Sequence, residues 1–201
     1  MLVRILIYTK HHLSFIWNLI EGLNAFLFRL MHGRRFKSVV PNVIHYFGLP
    51  GYNFRQLVTN DLPALNSLLN KQSPGRLDYF KPHGFDVKSL QKVYKNPSFL
   101  MMGAFKGPQL VGYFFLRCFW NRKCFVGRLI DQPYEGKGIG RIMNNIMYNI
   151  GWSMNFRVLS TISKNNHLVM RSHSGNKTMR VLKELPNDFL FVEFVKPFQE
   201  K

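Results

Sequence analysis

The sequence predicts a layered α/β protein, in which a central mixed, mostly antiparallel sheet is flanked by helices and preceded by an N-terminal amphipathic helical extension. Three observations predict this fold class. Consecutive β-rich runs separated by turn residues lie between residues 98 and 130, as in an antiparallel meander. Segments with helical spacing lie on both sides of this meander, at residues 59–70, 86–94 and 142–150. Apolar residues at helical spacing also fill much of the first 50 residues.

Length, composition and charge limit the classes to which the protein can belong. The chain has 201 residues, of which 46% are hydrophobic and 19% charged, enough for one domain with a buried core and a small appendage. Its formal net charge of +18 predicts an anionic partner: nucleic acid, acidic lipid, or a phosphorylated cofactor or substrate. The charge alone does not choose among them.

Cysteine usage indicates the compartment. The two cysteines, Cys118 and Cys124, have no further Cys or His at metal-finger spacing. The sequence therefore predicts neither a disulfide scaffold nor a zinc module, and no metal site. This usage favours a reducing compartment, so we expect the protein in the cytoplasm.

Residues 1–50 form an N-terminal extension with a single acid, Glu21. The spacing of its apolar residues predicts an amphipathic helix. Three locations stay open for this helix: docked on the chain's own domain or a partner, lying on a membrane surface through residues 10–37, or spanning the membrane. On a membrane surface, the basic residues at 34–37 would face acidic lipid. The predicted apolar face consists of Leu13, Ile16, Trp17, Ile20, Leu23, Leu27, Leu30 and Met31, and the opposite face of Ser14, Asn18, Glu21, Ala25, Arg29 and His32.

The main domain is predicted to span residues 51–201, because Gly48, Pro50 and Gly51 interrupt the chain near residue 50. It alternates short strands and helices, with Gly107-Pro108 as the turn of a hairpin. The predicted elements are, in order, a strand at 52–58, a helix at 59–70, a loop at 73–85, a helix at 86–94, strands at 98–106, 109–118 and 123–130, a glycine loop at 134–141 with a helix behind it, a strand at 156–162, a helix at 165–173, and strands at 179–185 and 189–195.

The glycine loop predicts an anion site. Gly136, Gly138 and Gly140 let the backbone pass close to a ligand with its N–H groups turned inward, and the helix behind them adds its positive dipole end. The alternative is that the loop is only a glycine-rich turn at the start of a helix. We favour the anion cradle because the helix behind it is long and amphipathic.

Two common nucleotide-binding motifs are excluded. A Walker loop needs Gly-Lys followed by Ser or Thr, whereas Lys137 is followed by Gly138. A Rossmann motif needs the spacing GxGxxG and an acid about 20 residues later. The spacing here is GxGxG, and the next acid after Glu135 is Glu184.

The glycine loop and the order of elements together make the chain resemble the GNAT superfamily of acyl-coenzyme A N-acyltransferases. The signature of that family is Gln or Arg, two residues, Gly, one residue, then Gly or Ala, between the fourth strand and the third helix. Glu135, Gly138 and Gly140 hold these places here, and the Glu departs from the signature. The resemblance covers residues 52–196, and the predicted order of elements is also that of the family.

The resemblance implies that acetyl-coenzyme A is the co-substrate. Its pyrophosphate would lie on the backbone N–H groups of residues 136–141, and its pantetheine arm between strands that diverge near Ile130 and Leu159. A multiply anionic cofactor suits a basic protein, and backbone donors at a helix start bind phosphate without side chains. The implied cofactor residues are Leu129, Ile130, Glu135, Gly136, Lys137, Gly138, Ile139, Gly140, Arg141 and Asn166.

Acylation of an amine needs the amine in its neutral form and a proton source for the departing thiolate. The family has a Tyr on the helix after the fifth strand, seven residues beyond an Asn; here His173 follows Asn166 at that spacing. We expect His173 to protonate the leaving sulfur. The alternative is a histidine that caps or packs a short helix.

Two further residues are catalytic candidates. His83 lies in the loop where the resemblance places the acceptor pocket, so it is expected to bind substrate or to accept the amine proton. A turn residue fixed by Pro82 is the structural alternative. Tyr134 lies beside the glycine loop. Catalysis by proximity with a water relay also stays open.

The predicted acceptor is a small-molecule amine. The basic charge would repel polyamines and lysine-rich proteins, and it favours an anionic acceptor such as a nucleotide-linked amino sugar. Residues 160–167 and 80–85 and the basic N-terminus resemble GNAT relatives associated with surface-polysaccharide synthesis. We therefore expect acetylation of an amino sugar in the cytoplasm, at the inner face of a membrane. No specific nucleic acid is expected, and a homodimer is left open.

The rival hypothesis is a non-catalytic protein that binds nucleic acid or acidic membrane through its basic surface, or a GNAT fold that binds coenzyme A without turnover. The sequence has no recognisable nucleic-acid motif, and its basic residues are scattered along the chain. Salt-sensitive binding without thioester turnover would favour this rival.

Overall fold

A seven-stranded sheet forms the centre of the computed structural model, which describes residues 14–166, 169–170 and 178–197. Its strands are β1 (Asn53–Gln56), β2 (Phe99–Lys106), β3 (Gln109–Phe119), β4 (Lys123–Ile130), β5 (Arg157–Ser163), β6 (Met179–Leu185) and β7 (Phe189–Phe194). They lie in the order β1-β2-β3-β4-β5-β7-β6. All neighbours are antiparallel except β4 and β5, which are parallel. The predicted mixed, mostly antiparallel sheet is confirmed.

Helices cover both faces of this sheet. They are α1 (Ser14–Tyr46), α2 (Leu62–Asn70), α3 (Pro74–Leu77), α4 (Val87–Tyr94) and α5 (Ile139–Ser153), with 3-10 turns at Thr59–Asp61 and Gln132–Tyr134. Helices α1 and α5 pack on one face, and α2 and α4 on the other. The short helix α3 lies in a segment predicted as loop; it begins at a proline, which suits the first position of a helix.

The meander of β2, β3 and β4 is the most deeply buried part of the sheet. In β3, residues 110–116 are all buried, because helices cover the strand on both sides. The turn before β3 contains Gly107, whose φ of +55° glycine adopts at little cost. The predicted Gly-Pro hairpin is therefore present.

The outward face of α1 contains residues that the sequence places on the apolar face of an amphipathic helix. Ile20, Leu23, Leu30 and Met31 are 41%, 57%, 72% and 55% exposed. The apolar face of the helix therefore points away from the domain. The helix lies on the domain through its other side. No helix in the described part of the chain is long and apolar enough to cross a membrane.

Polar contacts help to fix the inward side of α1. Glu21 forms an ion pair with Arg117 of β3, and His32 Nε2 lies 2.9 Å from the backbone O of Trp120. These partners are distant in sequence, so the spacing of apolar residues within the helix does not reveal them. Further along the helix, the buried apolar residues are Phe28, Phe36 and Val40.

Asn24 makes the most complete of these polar contacts. Its Nδ2 donates to Ser98 Oγ and to the backbone O of Cys118, each at 3.1 Å. Its Oδ1 accepts from the backbone N–H of Trp120 at 3.2 Å. Asn24 is only 7% exposed, so its amide satisfies buried backbone groups of β3 and of the turn after it.

We expect Asn24→Ala to lower the free energy of unfolding by about 1–3 kcal/mol, because it leaves buried hydrogen-bonding groups without partners. Asn18→Ala is the matched control: Asn18 lies on the same helix, is exposed, and accepts only from Lys92 Nζ at 2.7 Å. Urea unfolding of both variants measures the effect. Equal losses in the two variants would contradict the assigned role of Asn24.

Candidate functional site

The glycine loop joins β4 to α5 and has the backbone geometry of an anion cradle. Gly136 and Gly138 have φ angles of +73° and +82°, a region that glycine occupies at little cost. Helix α5 begins directly after Gly138, and the N–H of Arg141 donates to the backbone O of Gly138 at 3.1 Å. The N–H groups of Ile139 and Gly140 come before the first hydrogen bond of the helix, and they lie at the positive end of the helix dipole.

Gly140 is needed for close packing. A Cβ at this position would lie 2.9 Å from Arg128 Nη1 and 3.1 Å from Ile130 Cδ1. The absence of a side chain therefore lets the guanidinium of Arg128 approach the first turn of α5. Arg128 Nε also donates to Asn144 Oδ1 at 2.8 Å. Arg128 belongs to no motif in the sequence, although an arginine inside an apolar strand is a signal that could identify it.

The guanidinium of Arg128 brings positive charge to the base of the cradle. Burial lowers its pKa, while the nearby Tyr148 and Glu135 raise it. An arginine remains protonated at neutral pH despite such a shift, because its ordinary pKa is above about 12. The cradle therefore combines backbone donors with a fixed cation behind them.

Strands β4 and β5 separate beside the cradle. Their parallel pairing covers residues 123–125 of β4 and residues 157–159 of β5. One position further, Ser160 Oγ donates to the backbone O of Val126 at 3.1 Å. The strands then diverge along residues 127–130. This divergence lies between the two positions, near Leu159 and Ile130, where the family resemblance places the pantetheine arm.

The end of β4 and the start of the loop are held by the segment after α2. Asp131 is 5% exposed and accepts from Lys71 Nζ at 2.6 Å and from Gln72 Nε2 at 3.1 Å. Arg76 Nη2 donates to the backbone O of Ile130 at 2.8 Å. These residues belong to no recognisable motif, so the sequence alone does not predict their role.

The same Arg76 Nη2 donates to Glu135 Oε1 at 2.5 Å. Glu135 is the residue that departs from the family signature. Because its carboxylate is paired with a cation, the cradle does not present an uncompensated negative charge at this position. Arg76 therefore forms hydrogen bonds with both Ile130 and Glu135, which are two of the predicted cofactor residues.

Tyr134 uses its hydroxyl within the fold. Its O–H donates to Gln109 Oε1 at 2.9 Å, next to the turn between β2 and β3. The ammonium groups of Lys137 and Lys106 lie 5.0 and 5.8 Å from the centre of its ring. Lys137 and Arg141 are both exposed beside the glycine loop.

His83 lies on the face of the sheet opposite α5. Its Nδ1 is 2.8 Å from the backbone O of Gly84, and its Nε2 is 2.8 Å from the hydroxyl of Tyr113. A carbonyl oxygen only accepts, so Nδ1 carries the proton and Nε2 of the neutral ring accepts from Tyr113. Burial lowers the pKa of His83, which favours this neutral form.

The remaining predicted residues lie after β5. The Oδ1 of Asn166 accepts from the backbone N–H of Val169 at 3.2 Å, and its backbone O accepts from the N–H of Met170 at 2.9 Å. Asn166 thus caps a helical turn. His173 lies outside the described residues.

The described residues contain no cluster of three or more His, Cys, Asp or Glu that could hold a metal ion. Cys118 and Cys124 are opposite each other on β3 and β4, and both are free and buried. The candidate site is therefore the cradle and the gap between β4 and β5.

Comparison with known proteins identifies the fold. No protein-family model matches the chain, and no curated protein sequence matches it. Solved structures do match. The PaiA N-acetyltransferase from Thermoplasma acidophilum, in complex with coenzyme A, is 16% identical with a TM-score of 0.59, over 72% of this chain and 99% of that one.

Two other structures agree with this match. YncA from Salmonella typhimurium, with acetyl-CoA as its cofactor, is 13% identical with a TM-score of 0.60, over 76% of this chain and 98% of that one. The GNAT domain of S. lividans PAT is 12% identical with a TM-score of 0.60, over 70% of this chain and 88% of that one. The chain has the GNAT fold, and the resemblance is confirmed at the level of the fold.

The lowered pKa of His83 predicts a pH-dependent stability. The unfolded chain gains a proton at His83 near about pH 6.5. The folded chain resists this protonation, so the free energy of unfolding falls as the pH drops from about 7.5 to about 5.5. Urea unfolding across this range measures the fall. His83→Gln should reduce it, and an unchanged pH dependence in that variant would show that other groups cause it.

Proposed function

We propose that the protein is an acetyl-CoA-dependent N-acetyltransferase. The observation that carries this proposal is the position of the glycine cradle, at the start of α5 and beside the divergence of β4 from β5. A helix start with free backbone donors suits a pyrophosphate, and the adjacent gap between strands suits a narrow extended arm. The GNAT fold supports the same assignment.

The residues around the cradle fit the charges of coenzyme A. Arg128 lies behind the first turn of α5, and the exposed Lys137 and Arg141 flank the loop. The carboxylate nearest to the loop, Glu135, is paired with Arg76. The site therefore offers positive charge and backbone donors to a multiply anionic ligand.

The proposed reaction is a direct transfer. Acetyl-CoA supplies the acetyl group as an activated thioester. The protein aligns the neutral amine of the acceptor with the thioester. It accepts the proton that the amine loses and donates a proton to the departing thiolate. His83 is the proposed proton acceptor, since burial keeps its ring neutral. Nε2 would have to exchange its hydrogen bond from Tyr113 for one from the amine. His173 is the proposed acid.

The proposed acceptor is an amino sugar, either free or linked to a nucleotide. The net charge of +18 attracts an anionic acceptor and repels a polycationic one. A nucleotide-linked amino sugar combines a primary amine with the negative charge of phosphate groups.

We also propose that α1 lies on the inner face of a membrane. Its outward face exposes Leu19, Leu23, Phe26 and Leu30 by 57–72%. Arg34 and Lys37, further along the helix, are exposed, whereas Arg35 donates to the backbone O of Ser153 at 2.6 Å. An apolar stripe followed by exposed cations is the pattern of a helix that binds acidic lipid.

Gly138→Asp tests the cofactor site. A carboxylate beside the pyrophosphate, on a backbone with φ of +82°, should weaken acetyl-CoA binding about 100-fold or more. Calorimetric titration measures this. Gly107→Asp is the matched control, because it places the same side chain on a positive-φ glycine in an open turn. The control should bind like the wild type.

The titration also separates the proposal from its rivals. Micromolar binding to the wild type, lost only in Gly138→Asp, supports the site and justifies a screen of amino-sugar nucleotides by release of free thiol. Binding without thiol release for any amine would indicate a coenzyme A binder without turnover. A folded wild type that does not bind acetyl-CoA would overturn the acyltransferase proposal.

The pairing of Arg76 with Glu135 gives a second test. Arg76→Ala should weaken acetyl-CoA binding about tenfold, because the loop loses an anchor and Glu135 becomes an unpaired negative charge near the pyrophosphate. Arg76→Ala with Glu135→Gln should recover part of this loss. Arg157→Ala is the matched control, since Arg157 pairs with Glu193 at 2.8 Å between β5 and β7. No recovery in the double variant would refute the electrostatic role.

A further inference from the structure

A deep groove lies on the face of the sheet that α1 covers, between this helix and the strands β1 and β2. Its volume is about 810 Å³, and it is bounded by residues 28–48 of α1 and the turn after it, by residues 52–56, and by residues 94–100. This is the size of a pocket for a small organic ligand. The glycine cradle is not part of its lining.

The floor of the groove is apolar. The half-buried Ile44, Phe47 and Tyr94 leave some apolar surface open to solvent, beside core residues that are 8% exposed or less. Such a surface is costly unless something covers it. The buried apolar residues of the lining are Phe28, Phe36, Val40, Phe54, Phe99 and Leu100.

The lining is basic and contains no Asp or Glu. Arg29, Lys37 and Lys95 are exposed and make no ion pair within the described part of the chain, and His45 adds a titratable ring. Arg55 also lines the groove but is paired with Asp61 at 2.6 Å. Three uncompensated cations around an apolar floor indicate a ligand with a hydrophobic body and an anionic end.

We infer that this groove binds a lipid phosphate, with one acyl chain on the apolar floor and the phosphate against Arg29 and Lys37. From Phe28 to Ile44 the helix rises about 24 Å, at about 1.5 Å per residue. An acyl chain spans about half of the ~30 Å hydrocarbon core of a bilayer. The groove is therefore long enough to hold one chain along the helix.

Charge complementarity favours a lipid phosphate over two other possible occupants of the groove, residues 1–13 and a second copy of the chain. Residues 1–13 contain Arg4 and Lys10 and no acid, so this segment would add positive charge to a basic rim. A second copy of a chain with a net charge of +18 would do the same. A lipid phosphate neutralises the rim and covers the floor at once.

Calorimetric titration with palmitoyl lysophosphatidic acid, below the concentration at which it forms micelles, tests the inference. Palmitoyl lysophosphatidylcholine has the same chain with a zwitterionic head, and glycerol 3-phosphate has the phosphate without the chain. We expect lysophosphatidic acid to bind at least about tenfold more tightly than either control. No binding by the wild type, or equal binding of glycerol 3-phosphate, would overturn the inference.

Gly33→Leu is expected to block the groove without destabilising the fold. Gly33 lies in the lining, and a Cβ there would meet only Arg29 Cγ, at 3.6 Å, and Arg29 Cβ, at 4.0 Å. Replacing a mid-helix glycine also favours the helix. The leucine would occupy the space between Arg29 and Lys37, where the phosphate is placed, so we expect binding to weaken about tenfold or more. Gly22→Leu is the matched control on the same helix, where a Cβ meets nothing within 4 Å.

Charge reversal tests the phosphate end. Arg29→Glu with Lys37→Glu should weaken lysophosphatidic acid binding about tenfold and leave lysophosphatidylcholine unaffected. Lys88→Glu with Lys183→Glu changes the net charge equally at exposed positions outside the lining and away from α1. Circular dichroism and urea midpoints confirm folding of each variant. Undiminished binding by folded Gly33→Leu, or equal effects of the two charge reversals, would overturn the inference.

Discussion

The candidate site depends on how few residues of β4 and β5 pair with each other. Their parallel contact stops after residues 125 and 159, and the strands then diverge towards the glycine loop. A sheet that stayed paired to the end of β4 would leave no opening at this point. The divergence is stable because each strand keeps an antiparallel neighbour on its other side, β3 for one and β7 for the other. The sheet thus opens at its one parallel junction without losing continuity.

The loop at this opening is held in place by groups that do not belong to it. Lys71 and Gln72 hold Asp131, and Arg76 holds Ile130 and Glu135. These bonds leave the backbone N–H groups at the start of α5 oriented before any ligand arrives, so binding a phosphate needs little further ordering. Arg128, from β4, fills the space that Gly140 leaves at the first turn of α5. Preorganisation and positive charge therefore come from different elements of the fold.

The sequence predicts the features that depend on neighbouring residues. The hairpin at Gly107 and the loop with Gly136 and Gly138 are set by local backbone geometry, which composition and spacing reveal. It does not predict which side of α1 packs inward, because that choice depends on partners such as Arg117, 96 residues from Glu21. Nor does it predict the anchor of Glu135, because Arg76 lies 59 residues away and carries no motif. The spacing of residues within one segment does not reveal polar contacts between residues far apart in the sequence.

The two native thiols have a practical consequence. Cys118 and Cys124 are buried, and burial raises the pKa of both, to about 12 for Cys124. Alkylating reagents attack the thiolate, so neither sulfur reacts readily while the chain is folded. The chain has no other cysteine. A cysteine introduced at Leu23 or Leu30 on the outward face of α1 would therefore be the sole labelled position, and spin or fluorescent probes could be attached there without removing the native pair.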